Sequence, residues 1–323
     1  MRVFVSGGAG YIGSVCVEEL LKAGHTVTVY DNLIEGHRSA VDERAEFIEG
    51  DLQDRKSLGL AVKASKPEAI IHFAAFSLVG ESMANPVKYF RNNVAGGLNL
   101  LEAATEAGAK KFVFSSTCAV YGVPERVPMT EDLPLQPVNP YGESKFMFER
   151  MLAWQRQVHG VEFVVLRYFN AAGASARFGE HHRIETHLIP NFLNVALGKK
   201  PQGEIYGTDY PTPDGTCLRD YVHVGDLAQA HILALNPGAN GFFNLGNGEG
   251  FSVREILRVC EQVSGVKIPV TEKPRRPGDP PKLVASAAKA IGELGWRPKH
   301  SKIEAIVQSA WRWHKDHPEG YPD

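Results

Sequence analysis

The chain has 323 residues, long enough to bury a sizeable core and to form two lobes. Its formal net charge is -2 with the signs interspersed. No basic stripe points to nucleic acid, and an anionic ligand must be held by a few placed residues. No apolar run is long enough to span a membrane.

The first apolar run, Val3 to Val5, predicts a strand beginning at Met1 or Arg2, so no targeting segment is expected. The chain then bends through Gly7, Gly10 and Gly13, spaced three apart, into a short helix carrying Val15, Leu20 and Leu21. A strand that ends in such a loop presents bare amides and a positive helix end to a diphosphate. A second strand, Thr26 to Tyr30, ends at Asp31, 18 residues past Gly13. A carboxylate there accepts hydrogen bonds from a ribose diol and repels a 2′-phosphate, which points to NAD over NADP. A tight turn at the glycines and a strand-end turn at Asp31 are the plainer alternatives.

Further strands are expected at Ala45–Ile48, Ala69–Ala74, Lys111–Ser116 and Phe163–Phe169. Helices are expected at Leu58–Ala64, from about Pro86 to Ala107, and at Tyr141–Val158. Near-continuous apolar strands between helices indicate an α/β fold with a doubly wound parallel sheet covered on both faces. Ligands of such sheets gather at the carboxyl ends of the strands, here near Gly7, Asp31, Asp51, Ala74-Ala75, Ser115-Ser116-Thr117 and Asn170.

After Asn170 the texture changes. Residues 171–216 are rich in Gly, Pro and His, with an amphipathic segment at Leu188–Leu197. Residues 217–236 return to strand-and-helix spacing, Ser252–Val263 reads as a helix, and 273–281 is a stiff basic loop. A Trp-bearing amphipathic helix closes the chain at Ile303–His314. The expected organisation is a nucleotide-binding domain of residues 1–170 plus 217–245 and a smaller α/β substrate lobe of 171–216 plus 246–323. The four cysteines, Cys16, Cys118, Cys217 and Cys260, form no CxxC pair and suit free buried thiols in a reducing cytosol. His181, His182 and His187 do not form a convincing metal site, and no metal is expected.

Tyr141 and Lys145 stand four apart behind Pro140, a residue suited to open a helix, so they share one face. A free tyrosine has a pKa of ~10. A neighbouring cation and a charged nicotinamide both favour phenolate. A fall of roughly two to three units, about 3–4 kcal/mol, makes it a usable base near neutrality. Tyr-x-x-x-Lys alone recurs in many helices by chance; its weight here comes from following a dinucleotide pattern. Thr117 offers a hydroxyl at the end of the preceding strand, with a capping role as the alternative.

Glycine loop, Ser-Ser-Thr and Tyr-x-x-x-Lys, in this order, resemble the extended short-chain dehydrogenases/reductases, and within them the UDP-glucose 4-epimerases. The resemblance covers nearly the whole chain. It includes Asp31-Asn32-Leu33, His72-Phe73-Ala74-Ala75, Val79-Gly80-Glu81-Ser82 and Leu166-Arg167-Tyr168-Phe169-Asn170. It continues through Asp209 to Thr216, Arg219-Asp220-Tyr221-Val222-His223, Arg275-Arg276-Pro277-Gly278-Asp279 and the terminal His317 to Asp323.

That resemblance implies a Rossmann domain, a permanently held NAD, a UDP-sugar substrate, a homodimer paired through two helices, and a cytoplasmic enzyme serving galactose metabolism or polysaccharide precursor supply. By carry-over, Tyr11, Ile12, Asp31, Asn32, Leu33, Ile34, Glu35 and Gly36 line the dinucleotide, and Asp51 and Leu52 meet the adenine. Phe73, Ala74, Ala75, Phe76 and Ser77 run past the diphosphate and nicotinamide ribose. Asn92, Thr117, Tyr141, Lys145 and Phe169 complete the cofactor site, with Thr117, Tyr141 and Lys145 catalytic. Asn170, His187, Leu188, Ile205, Tyr206, Arg219, Arg276 and Asp279 hold the UDP, together with Ser77, Thr117 and Tyr141 on the substrate side.

The implied reaction is reversible inversion at carbon 4 of UDP-glucose and UDP-galactose through a 4-keto sugar. Three positions depart from the best-known pattern: Ser77 replaces a lysine, His187 an asparagine, and Leu283 stands where a tyrosine or a small residue flanks the sugar. UDP-N-acetylglucosamine, UDP-pentoses and UDP-glucuronate therefore stay open as substrates. Cys118-Ala119 after Thr117 speaks against a 4,6-dehydratase, which carries Asp-Glu there. The presence of both Tyr141 and Lys145 speaks against a non-catalytic NAD sensor.

Overall fold

The computed structural model of the protein describes residues 1–276 and 279–322. Pro277, Gly278 and Asp323 of the motifs named above lie outside the described residues.

The first half alternates strand and helix. It comprises β1 (Arg2–Ser6), α1 (Tyr11–Lys22), β2 (Thr26–Asp31), β3 (Glu46–Glu49), α2 (Arg55–Ser65) and β4 (Ala69–His72). There follow α3 (Val79–Ala84), α4 (Pro86–Tyr89), a π-helical segment (Phe90–Gly96), α5 (Gly97–Glu106), β5 (Lys111–Thr117), α6 (Pro140–His159) and β6 (Glu162–Tyr168). The second half contains β7 (Asn170–Ala172), α7 (Leu188–Ala196), β8 (Gly203–Tyr206), β9 (Leu218–Arg219), β10 (Tyr221–His223), α8 (Val224–Ala234) and β11 (Gly241–Leu245). It ends with β12 (Phe251–Ser252), α9 (Val253–Ser264), β13 (Val270–Lys273), β14 (Lys282–Leu283) and α10 (Ile303–Asp316).

Seven strands form one parallel sheet in the order β11-β6-β5-β4-β1-β2-β3. Every residue of β4 and β5 is buried, as strands covered on both faces must be. One face packs Val15, Leu20, Leu227 and Trp296 against the sheet, the other Leu58, Leu100, Phe148 and Leu152. Elsewhere β8 pairs with β13, β9 with β12 and β14, and β7 with β10. Helices α7, α9 and α10 enclose a further core of Phe192, Ile205, Ile256 and Val307. The four cysteines are buried and unpaired.

Local chemistry accounts for the helix ends. Asn139 Oδ1 accepts the Gly142 N–H at 2.8 Å and Pro140 occupies the first turn of α6. Ser252 and Glu255 make a reciprocal capping box on α9.

Two expectations are corrected. The strand read as Ala69–Ala74 stops at His72, because the Phe73 and Ala74 amides both turn onto the Ser6 carbonyl, at 2.8 and 3.1 Å. The long helix read from Pro86 to Ala107 carries the π-helical segment in its middle. Its wider turn brings both Asn92 and Asn93 inside. Asn93 then bonds both backbone groups of Phe76 at 3.0 Å and the Ser144 hydroxyl at 3.0 Å.

Beneath the carboxyl ends of β5 and β6 lies a buried ion pair. Glu149 of α6 takes Arg167 of β6 in a fork, with Nη2 to Oε2 at 2.6 Å and Nε to Oε1 at 3.0 Å. Ser116 donates to Glu149 Oε1 at 2.6 Å, and Arg167 donates to the Tyr121 hydroxyl at 2.9 Å. Removing one partner leaves the other charge buried and uncompensated. Glu149→Gln is expected to destabilise the fold by about 3–5 kcal/mol. Urea unfolding followed by circular dichroism checks this.

Candidate active site

A single cavity of about 1350 Å³ runs along the carboxyl ends of the strands. This exceeds the ~300–1,000 Å³ usual for one small ligand. At one end Gly7 adopts φ +78°, and a Cβ there would lie 2.3 Å from the Ala74 nitrogen. A Cβ on Gly13 would lie 2.1 Å from the Gly7 carbonyl oxygen. Glycine is thus required where β1, β4 and α1 converge. Gly10 caps α1 with no side chain and no acid follows in the first turn, so the helix start that borders the cavity is left for an anion. Asp31 accepts the Ala9 and Leu33 amides at 3.0 and 2.9 Å. Burial raises its pKa from the usual carboxylate value, against the pull of those amides. These features fit a dinucleotide: a glycine cradle, an uncapped helix and a carboxylate at the second strand end.

The middle of the cavity holds Thr117, Tyr141 and Lys145. Thr117 ends β5 and accepts the Ala119 amide at 3.2 Å. Lys145 Nζ donates to the Ser115 carbonyl at 2.9 Å and lies 4.9 Å from the centre of the Phe114 ring. Burial pulls the Lys145 ammonium down to about 7, with Glu149 opposing. Burial pushes the Tyr141 phenol up to about 12, with the hydrogen bond to Thr117 opposing. In the nucleotide-free protein Tyr141 is therefore raised, whereas the lowering expected from sequence also counts on a charged nicotinamide. In the protein alone desolvation outweighs every neighbour, and Lys145, tied to Ser115, does not offset it.

The other end of the cavity is cationic and aromatic. Arg219 of β9 pairs with Asp279. Arg276 stacks 4.1 Å over the Tyr206 ring, whose hydroxyl donates to Glu204 at 2.5 Å. Two guanidinium groups at this spot can fork onto phosphate oxygens, and Asp279 is then released for hydroxyls. Leu283 of β14 lies opposite Arg219 in register and packs in a cluster with Phe169 and Cys118.

The segment between β7 and α7 folds over the dinucleotide end. Arg183 donates to the carbonyls of Ile34, Leu33 and Gly36 at 2.8, 3.1 and 3.4 Å. Arg177 pairs with Asp42 at 2.6 Å, and the His37 and His181 rings stack with centres 4.8 Å apart.

The sequence pattern of the NAD dependent epimerase/dehydratase family matches residues 3–246. The chain belongs to this family. Among its relatives, a UDP-glucose 4-epimerase of Lacticaseibacillus casei is 52% identical, covering 100% of this chain and 99% of the relative. A crystal structure of a UDP-glucose 4-epimerase superposes with a TM-score of 0.97 at 47% identity, covering 99% of each chain. The Bifidobacterium longum UDP-glucose 4-epimerase, in complex with NAD+ and UDP, superposes with a TM-score of 0.95 at 36% identity, covering 99% of this chain and 100% of the other.

Most of the residues expected from sequence line one cavity, from Gly7, Gly10 and Asp31 through Ser77 and Asn92 to Arg219, Arg276 and Leu283. Three stand outside its wall. Ile205 points with alternate β8 residues into the core beneath α7 and is fully buried. Asp51 is spent on the Asn32 amide at 2.9 Å and the Gln53 amide at 2.8 Å. Leu33, at φ +58°, packs against the core below Asp31. Glu180 and Glu185 are not singled out by sequence, and His182 is weighed there only as a metal ligand; all three line the wall beside His187. The alternation of Glu and His in residues 180–187 was the available signal.

Lys145 gives a pH test. Its folded pKa lies below its unfolded value, so between about 7 and 10.4 the unfolded chain binds the extra proton and stability rises with pH. The nucleotide-free protein is expected to gain up to ~1.4 kcal/mol per pH unit from this group between pH 7 and 9.5. Urea unfolding of Lys145→Met across that range is expected to lose this slope.

Proposed function

We propose that this chain interconverts UDP-glucose and UDP-galactose by inverting carbon 4 with tightly held NAD. The observation that carries the reading is one cavity joining a glycine cradle, the Thr117, Tyr141 and Lys145 group, and the Arg219 and Arg276 pair. The names of the relatives at about half identity over full length support it.

Gly7, the start of α1, Asp31 and Phe73 to Ser77 would hold NAD. When bound, NAD supplies a reversible two-electron oxidant and, in its oxidised form, a positive charge that favours phenolate. Tyr141 takes the proton of the 4-hydroxyl as carbon 4 is oxidised, and Thr117 orients or relays it. Lys145 holds the end of β5 through Ser115 and adds charge when protonated. Arg219 and Arg276 hold the diphosphate, and Asp279 the uridine ribose. A firm grip on UDP and a loose one on the hexose let the 4-keto sugar present its other face before Tyr141 returns the proton.

The chain divides into a nucleotide-binding domain, 1–170 plus 217–245, and a substrate lobe, 171–216 plus 246–323. The pairing of β11 with β6 and the packing of α8 on α1 support this division. A cytoplasmic homodimer fits the same reading. Met83, Val87, Met147, Trp154 and Val158, on α3, α4 and α6, are exposed apolar side chains suited to a dimer face. No helix among the described residues is long and apolar enough to cross a membrane.

Tyr141→Phe is expected to lower kcat with UDP-galactose by ~10²–10⁴-fold, measured by coupled product assay; near-full activity defeats the assignment. Leu283→Tyr is expected to enlarge the side chain beside the sugar and to depress kcat/KM for UDP-N-acetylglucosamine more than for UDP-glucose. A substrate panel run on both proteins checks this.

A further inference from the structure

The segment between β7 and α7 carries a cluster of four side chains, of which only His187 is expected to meet the UDP. Glu180, His182, Glu185 and His187 each offer one donor atom, and the four atoms lie within 4.8 Å of one another. The His187 Nδ1 is 2.5 Å from Glu180 Oε1 and 3.6 Å from Glu185 Oε1. The His182 Nε2 is 3.3 Å from the same Glu180 oxygen. That nitrogen is buried yet makes no hydrogen bond, and Glu180 is almost wholly buried. A buried imidazole nitrogen that meets a buried carboxylate at 3.3 Å without a well-directed hydrogen bond is a costly arrangement, and one that a bridging cation relieves.

We propose that these four residues form a divalent metal site of the zinc class. Two imidazoles and two carboxylates are a closed four-donor set for zinc, whereas magnesium and calcium favour all-oxygen shells. Zinc–nitrogen and zinc–oxygen bonds of about 2.0–2.2 Å in a tetrahedron place neighbouring donors ~3.3–3.5 Å apart. The His182–Glu180 and His187–Glu185 separations already lie close to this span. The His187–Glu180 pair must open by about one ångström, and separations that reach 4.8 Å must close, as the ion replaces the shared proton. The charges balance, two carboxylates against one dication. His181 takes no part, since its ring stacks on His37.

The place of the site gives it a role. His187 is the residue before the first turn of α7, and all four ligands line the nucleotide cavity. The ion would cross-link the loop behind β7 to the start of α7. It would thereby fix the wall from which Arg183 reaches the carbonyls of Leu33, Ile34 and Gly36.

The test uses the full chain, dialysed against chelator and titrated with zinc and with cobalt. One equivalent of zinc is expected to bind. Cobalt is expected to give the strong visible bands of four-coordinate geometry and to be displaced by zinc. Hydrogen exchange of residues 180–187 is expected to slow when zinc is added. The Glu180→Gln, His182→Ala double variant, with folding checked by circular dichroism, is expected to lose more than the ~10–100-fold in zinc affinity that removing a ligand's outer hydrogen-bond partner costs. Failure of the wild-type chain to bind a stoichiometric ion overturns the proposal whatever the variant does. So do six-coordinate cobalt bands, or equal affinity in the folded double variant.

Discussion

The fork between Arg167 and Glu149 governs the geometry of everything above it. Tyr141, Lys145 and Glu149 follow one another at four-residue intervals on α6, so they form one stripe facing the sheet. Glu149 is the anchor of that stripe. It binds β6 through Arg167 and β5 through Ser116, and both contacts are sealed from water. The helix cannot slide or rotate without breaking a charge-assisted contact in a low-dielectric interior. The stripe therefore delivers its two upper residues to the mouth of β5, next to Thr117. Glu149 also opposes the desolvation of Lys145, so the group that anchors the helix tunes the one above it.

Much of the architecture could be read from the chain because its signals are local. Apolar runs such as Val3–Val5 and Phe112–Phe114 are strands buried on both faces, and their spacing from the glycine loop and Asp31 is imposed by strand and helix lengths. The Tyr141 and Lys145 spacing is equally local. What the sequence did not disclose depends on partners far along the chain. The early end of β4 arises from the convergence of Phe73 and Ala74 on Ser6. The π-helical turn is visible only once Asn93 meets Phe76 and Ser144. Desolvation of Tyr141 is a property of the assembled cleft and cannot be read from its spacing to Lys145. The core-facing side of Ile205 follows from the β8 pairing with β13, which nothing short-range announces.

The cavity differs in character from end to end. Around Gly7 it is built of backbone at closest approach, where a single added methyl group would collide. Around Arg219 and Arg276 it is built of side chains that already have partners, Asp279 and the Tyr206 ring. A ligand at the first end meets a preformed mould. A ligand at the second must displace an internal ion pair, so its affinity is a difference between two sets of contacts. Such an arrangement suits one occupant that stays and another that comes and goes.

The Arg183 hook sharpens that contrast. Three carbonyls of the loop after β2 converge on one guanidinium from the other half of the chain, and Arg177 with Asp42 adds a second tie nearby. An occupant beneath this buckle leaves only when several contacts open together, an event far rarer than the loss of any one. A redox carrier so enclosed would be reset within each catalytic cycle and would exchange no electrons with the surrounding pool. The direction of net conversion would then follow the ratio of the two sugars alone, insulated from the oxidation state of the cell.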